Sequence, residues 1–340
     1  MLHNTASSVF EPNNSQENAT SKVLPVVQIL LSQPRGFCAG VLRAIEIAER
    51  ALELHGAPVF VFHEMVSSDH VLAELRKRGM VFVNALSEVP SGAVIVFSAH
   101  GVSLAVVREA QLRGLNVIDA TCLLVNKVHQ QAQRHSRSGH TLVVVGNANH
   151  DETAGTLGRV NTEVHLVSTL ADVAQLAVRA DSPLAYVTQT TLSADDTRDI
   201  IAALTLRFPL IKGPNKDTLC HATQNRQNAV CALAQQVELM LVVGSHDSAN
   251  AMRLHEIAVQ QGVAAYLVQD ESEINAHWLT NLRRIGVTAA ASTPEVLVQR
   301  VAQRLSELSA ANVLQADVLD PRLEEGIVFR LPVALLRPAA

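Results

Sequence analysis

Three cysteines constrain this chain more than any other feature. Cys38, Cys122 and Cys220 each follow an apolar, strand-like stretch and precede a helix-like one. Counting forward from each reaches a similar polar loop: 25 positions from Cys38 to His63, 24 from Cys122 to Gly146 and 24 from Cys220 to Gly244. That near-constant offset marks a threefold internal repeat with one thiol per repeat. Equivalent positions in pseudo-symmetric units can meet on one axis, and three thiols so placed suit a metal centre better than disulfides.

The text between the cysteines alternates short β-branched or apolar runs with amphipathic stretches, the pattern of βα units around parallel sheets. Strands are expected at Val26–Leu31, Val59–Phe62, Val94–Phe97, Leu115–Ile118, Thr141–Val145, Leu184–Val187, Leu239–Val243, Ala264–Val268 and Ile285–Thr288. Helices are expected at Val41–His55, Asp69–Arg78, Leu104–Leu112, Val125–Ser138, Ala194–Phe208, Asn225–Gln236, Ala249–Gln261 and Pro294–Leu308. The expected fold is α/β: three pseudo-symmetric units with parallel-type sheets around a central cleft that holds a cluster. Their expected bounds are 25–118, 119–216 and 217–310, after a disordered tail over 1–24 and before a C-terminal segment over 311–340. Ligands bind at the carboxyl ends of parallel strands. The polar loops His63–Ser68, Gly146–Glu152 and Gly244–Asn250, with Ser98–Ser103, Thr188–Ser193 and Ala289–Thr293, all fall at that edge.

Charge narrows the partners. A net charge of −5 and a pI near 6.3 provide no basic field for nucleic acid or an anionic membrane, so any bound anion must be held by local groups. No apolar run approaches the roughly 18 to 20 residues that span a bilayer, and the N-terminus lacks the order of a secretory signal. A cytoplasmic protein is expected, where cysteines serve metal binding, catalysis or plain burial. Cys231, inside a helical pattern and without a counterpart in the other repeats, reads as an inert packed residue.

Separations of 84 and 98 positions match neither zinc-finger spacing nor a clustered ferredoxin run. Three thiolates satisfy three irons of a cubane cluster and leave the fourth open to substrate. A structural Cys₃His zinc site and three unrelated buried cysteines are the competing readings. The loops add mostly uncharged donors: His100, His150, Thr190, Thr191, Ser248, Asn250 and Ser292. A phosphate or diphosphate suits them, although Ser, Thr and Asn before helices are also ordinary N-caps. Glu152 is a carboxyl that could keep a proton if shielded from water, or else a solvated loop acid.

Several segments carry a resemblance: Gln33-Pro34-Arg35-Gly36-Phe37-Cys38-Ala39-Gly40-Val41, Phe97-Ser98-Ala99-His100-Gly101-Val102-Ser103, Asp119-Ala120-Thr121-Cys122, Thr188-Gln189-Thr190-Thr191-Leu192-Ser193, Asn225-Arg226-Gln227 and Val242-Val243-Gly244-Ser245. In order and with few gaps from about Val27 to Phe329, the chain resembles the LytB family, the 4-hydroxy-3-methylbut-2-enyl diphosphate reductases. The resemblance implies the last step of the methylerythritol phosphate route to isoprenoids, an oxygen-sensitive [4Fe-4S] cluster, and ferredoxin or flavodoxin as electron donor. It implies Cys38, Cys122 and Cys220 as cluster ligands, Glu152 as proton source and Thr190 as partner of the substrate hydroxyl. His100, His150, Ser248, Asn250 and Ser292 would hold the diphosphate.

Departures from the family's text collect at that anion pocket. Ser67 stands where the family has a diphosphate-binding histidine, and Ala249 where it has a serine. Leu123 replaces a proline, and Gly146-Asn147-Ala148-Asn149-His150 and Ala289-Ala290-Ala291-Ser292 replace more glycine-rich stretches. The serine keeps one hydrogen bond but is never cationic, so roughly 1.5 to 3 kcal/mol of charge-assisted bonding falls toward the neutral value of about 1. A divergent paralogue is implied, with two alternatives to the reductase: a non-catalytic cluster protein or sensor, and a reductase of a related allylic alcohol.

Overall fold

The computed structural model describes residues 27–179, 182–214, 220–309, 312–315 and 326–336. The tail expected over 1–24 lies outside the described residues. The first unit comprises β1 (Gln28–Leu31), α1 (Ala39–His55), β2 (Val59–Phe62), α2 (Asp69–Lys77), β3 (Met80–Val83), β4 (Val94–Phe97), α3 (Leu104–Leu112) and β5 (Asn116–Asp119) in chain order. The second comprises α4 (Leu123–Arg137), β6 (Thr141–Val145), α5 (Asp151–Leu157), β7 (Val164–Val167), α6 (Leu170–Gln175), β8 (Leu184–Thr188) and α7 (Ala194–Arg207). The third comprises α8 (His221–Ala234), β9 (Leu239–Val243), α9 (Ala249–Gln260), β10 (Ala264–Val268), β11 (Arg284–Ala289), α10 (Glu295–Ser309) and β12 (Asn312–Gln315).

The repeat is visible in strand order. The three parallel sheets contain β3-β2-β4, β7-β6-β8 and β10-β9-β11, so the strand after each cysteine helix is always central. Both faces of these strands are covered, which accounts for their unbroken apolar runs. In β2, Val59 and Val61 face a core built on α1 and α2, while Phe60 and Phe62 face one that includes Ala110 of α3. The other sheets divide their cores in the same way.

Beside these strands each sheet carries a further parallel element: β5 beside β4, β1 beside β11, and, among the described residues, a bridge from Lys212 to Ala185 of β8. In every case this element precedes the next cysteine. The sheet of one unit therefore delivers the thiol of the following one, and because β1 belongs to the third sheet the arrangement closes on itself.

The linear division into units needs correcting at both ends. β1, expected within 25–118, pairs Ile29 with Ile285 and Val313 in the third sheet. Of the expected 311–340 segment, β12 joins that same sheet, whereas Leu335 is buried in the core of the first unit. Arg43 Nε donates to Arg330 O at 3.0 Å, and Arg50 Nε to Leu335 O at 3.0 Å. No helix among the described residues is long and apolar enough to cross a membrane.

Candidate active site

Cys38, Cys122 and Cys220 occupy equivalent local positions, as the N-cap residues of α1, α4 and α8. All three line the cleft, with the first-turn backbone of α4 against the Cys122 thiol and Thr223 against that of Cys220. They line one cavity of about 720 Å³, counted out to its mouth, together with Ser67, His100, His150, Glu152, Thr190, Ser248, Asn250 and Ser292. The structure thus brings every expected site residue to a single place. A Cβ built on Gly40 would sit 2.7 Å from Cys122 Sγ and 3.8 Å from Cys38 Sγ, so the bare backbone of α1's first turn is the surface that the thiols approach.

The thiols are free, not paired as disulfides. Burial pushes Cys122 up to about 12, and the nearby Cys38 and Cys220 add to the rise. Cys220 is raised by burial and then by Cys38. Three thiolates gathered here need positive charge among them. Among the described residues no three His, Cys, Asp or Glu side chains are grouped as ligands of one ion. A zinc ion requires each sulfur about 2.3 Å from a common centre, whereas a polynuclear cluster offers each thiolate its own iron. Three separate thiols are a donor set that such a cluster could use.

Glu152 was expected in a loop and lies instead in the first turn of α5, 2% exposed. Its Oε1 accepts the Thr190 N–H at 2.7 Å and its Oε2 the Thr190 hydroxyl at 2.7 Å. Burial raises the carboxyl to about 7 against the opposing pull of both Thr190 bonds. A group balanced there carries or releases a proton near neutral pH.

The remaining groups are neutral donors, with no lysine or arginine among the cavity's lining residues. His150 Nδ1 accepts the Glu152 N–H at 3.2 Å, which leaves Nε2 as the protonated nitrogen of the neutral ring. Burial, and then His100, hold His150 down to about 4, and burial lowers His100 as well. The two rings meet edge to face with centroids 5.3 Å apart, and His100 Nδ1 is buried without a partner. Asn250 Oδ1 accepts the Ala291 N–H at 2.9 Å, while its buried Nδ2 has no partner. Such an orphaned donor is complementary to an anion. Ser248 does cap α9, accepting from Ala251 N–H at 3.3 Å, so the ordinary N-cap reading holds beside the functional one. Ser292 donates to Ser67 O at 2.8 Å and so ties the first and third units together. Charge collects in an adjoining recess, where His63 Nδ1 stands 3.3 Å from Asp151 Oδ1 and Glu64 and Asp247 also line the wall.

Thr223 was not anticipated. Its hydroxyl donates to Thr190 O at 2.8 Å. Register alone could have found it, since it stands three positions after Cys220, as Val41 does after Cys38 and Val125 after Cys122, and all three line the cavity. Cys231 is half-buried against the third sheet's core, as expected of a packed residue.

Residues 29–306 match the family model described as LytB protein. The chain belongs to the LytB family. It is 52% identical over 313 residues to the 4-hydroxy-3-methylbut-2-enyl diphosphate reductase of Bordetella pertussis, covering 92% of this chain and 95% of that one. Among solved structures it is similar to the E-1-hydroxy-2-methyl-but-2-enyl-4-diphosphate reductase of Plasmodium falciparum, with TM-score 0.86, 35% identity, and coverage of 92% of this chain and 98% of that one. It is also similar to an (E)-4-hydroxy-3-methyl-but-2-enyl diphosphate reductase described as the terminal enzyme of the non-mevalonate pathway, with TM-score 0.61, 30% identity, and coverage of 83% and 99%. The LytB fold and the expected α/β class agree.

Proposed function

We propose that this LytB protein reduces 4-hydroxy-3-methylbut-2-enyl diphosphate to isopentenyl and dimethylallyl diphosphate, the last step of the methylerythritol phosphate route, using a [4Fe-4S] cluster on Cys38, Cys122 and Cys220. Loss of the allylic hydroxyl as water consumes two electrons and two protons. The cluster, when bound, supplies the electrons and a Lewis-acidic iron for the hydroxyl oxygen, with ferredoxin or flavodoxin as the donor class.

The observation that carries this reading is the Glu152–Thr190 pair in the same cavity as the three thiols. With Glu152 protonated, the Thr190 hydroxyl can accept that proton and pass its own toward a bound hydroxyl, a relay that both 2.7 Å bonds pre-align. Thr223 steadies the Thr190 carbonyl from behind. The Nε2–H of His150, the Asn250 amide and the Ser248 hydroxyl meet the diphosphate, and burial strengthens each bond by excluding water.

Protein reconstituted with iron and sulfide under anaerobic conditions should consume the allylic diphosphate with a reduced donor, and the gene should sustain cells depleted of their own reductase. A loaded cluster with no turnover would overturn the reading and favour a sensor. Ser67 and Ala249, both in the cavity wall, motivate a second reading, a related allylic alcohol without a diphosphate. Turnover of the free alcohol in preference to its diphosphate would establish it.

A further inference from the structure

The Asn225-Arg226-Gln227 stretch takes no part in the chemistry above, yet Arg226 is among the largest fully buried side chains, at 1% exposure. Taking a guanidinium out of water is costly unless its donors are met. Here they are met by backbone carbonyls, those of another unit and one of its own helix. Nε and Nη2 both donate to Gly36 O, at 3.0 and 2.7 Å, Nη2 also approaches Phe37 O at 3.3 Å, and Nη1 donates to Ala222 O at 2.9 Å. Gly36 and Phe37 immediately precede Cys38, and Ala222 lies two positions after Cys220. One side chain therefore bridges the peptide runs that carry two of the three thiols.

Among the described residues, the backbone of the loop it grips is also held from the third sheet, by Gly36 N–H to Ala289 O at 3.2 Å and Cys38 N–H to Ala291 O at 3.0 Å. The device also occurs at a second cysteine: Arg43, 7% exposed on α1, donates through Nη1 to Thr121 O at 3.1 Å, just before Cys122. A cysteine helix thus reaches across to fix the next cysteine's loop by an arginine-to-carbonyl bond.

We infer that Arg226 is a positioning residue of the metal centre, which fixes the Cys38 thiol relative to the Cys220 helix and places a permanent positive charge against the peptide run that leads into Cys38. The inference rests on the cluster reading of the three cysteines. Two consequences separate. The fork of bonds governs how firmly the cluster is held, and the charge governs how readily it accepts an electron, because a nearby cation favours the more negative, reduced state.

Arg226→Met removes both, and Arg226→Lys keeps the charge but not the fork. Wild type and variants are reconstituted with iron and sulfide, then compared for iron content, rate of iron loss to a chelator and reduction potential by spectroscopic titration. Arg226→Met should lose iron about tenfold faster and titrate at a more negative potential. Arg226→Lys should lose iron faster than wild type while keeping a potential near it. If Arg226→Met does not fold, Arg226→Lys decides by its rate of iron loss at an unchanged melting temperature. Variants that hold iron and titrate as wild type does overturn the inference and leave the cluster reading standing. A wild-type chain that takes up no iron or sulfide removes both.

Discussion

At Glu152 burial and hydrogen bonding pull in opposite directions, and burial prevails, so the carboxyl is raised to about 7. The folded chain therefore keeps this proton over a range where the unfolded chain has lost it. Stability falls as pH rises from about 4.5 to about 7, by on the order of 3 kcal/mol for this group, and is flat above. Glu152→Gln removes the penalty and keeps an acceptor for the Thr190 N–H. Metal-free Glu152→Gln should melt higher than wild type at pH 8, with the difference shrinking by pH 5. Its turnover should fall roughly 10²- to 10⁴-fold, the usual worth of a positioned acid. Equal melting curves at pH 8 would show that the carboxyl is ionised at little cost, and the relay would lose its proton source. Ser67 tests the other end of the cavity. Placing a histidine there adds a potentially charged donor beside neutral His100 and His150, so Ser67→His should lower the KM for the diphosphate about fivefold with kcat little changed. A raised KM would instead favour a substrate without the diphosphate.

The elements that carry the site are the three cysteine helices, and the first turn of α1 packs closely against a thiol. Gly40 lies in the first turn of α1 against a thiol delivered by α4. An added methyl there meets Cys122 Sγ at 2.7 Å, closer than van der Waals contact permits. Away from that contact alanine is the better helix former by about 1 kcal/mol. Gly40→Ala should therefore leave the metal-free protein as stable as wild type, while iron and sulfide bound per chain fall at least severalfold in anaerobic reconstitution. Full loading in that variant would mean that the group held by the thiols does not need the space beside Gly40. These helices and the central strands were legible because burial on a single stripe or on both faces leaves a clear period in the sequence. The strands β3 and β7 were not, because each is a four-residue sheet edge whose residues are only partly buried, so neither the apolar Met80–Val83 nor the interrupted Val164–Val167 shows a two-residue period. Helices α5 and α6, at 7 and 6 residues, are too short to show a period.

In the whole molecule, the repeat located the thiols because the same strand-to-helix junction recurs in the chain text. It could not reveal that each junction leaves one sheet and opens the next unit. That exchange rests on contacts between residues distant in sequence, such as Gln28 with Arg284 and Arg226 with Gly36. For the same reason the residues after β12 read as a featureless end, although Leu335, 2% exposed, completes the core beneath α1. This last contact has a consequence for the site, because α1 carries Cys38 at its N-cap and bonds to the same segment through Arg43 and Arg50. Leu335→Ala removes buried carbons from a core that can only partly collapse, so about 2 to 4 kcal/mol of stability should be lost. The loss should be unequal. Amides of α1 should exchange with solvent faster by a larger factor than those of α9 or α10, since the third sheet's core does not include Leu335. Hydrogen exchange followed by mass spectrometry distinguishes the outcomes: acceleration confined to the first unit makes the returning segment a local brace for the Cys38 helix. Uniform acceleration across all three units would mean that the closed arrangement unfolds as one body, and an unchanged α1 would show that the segment contributes nothing there.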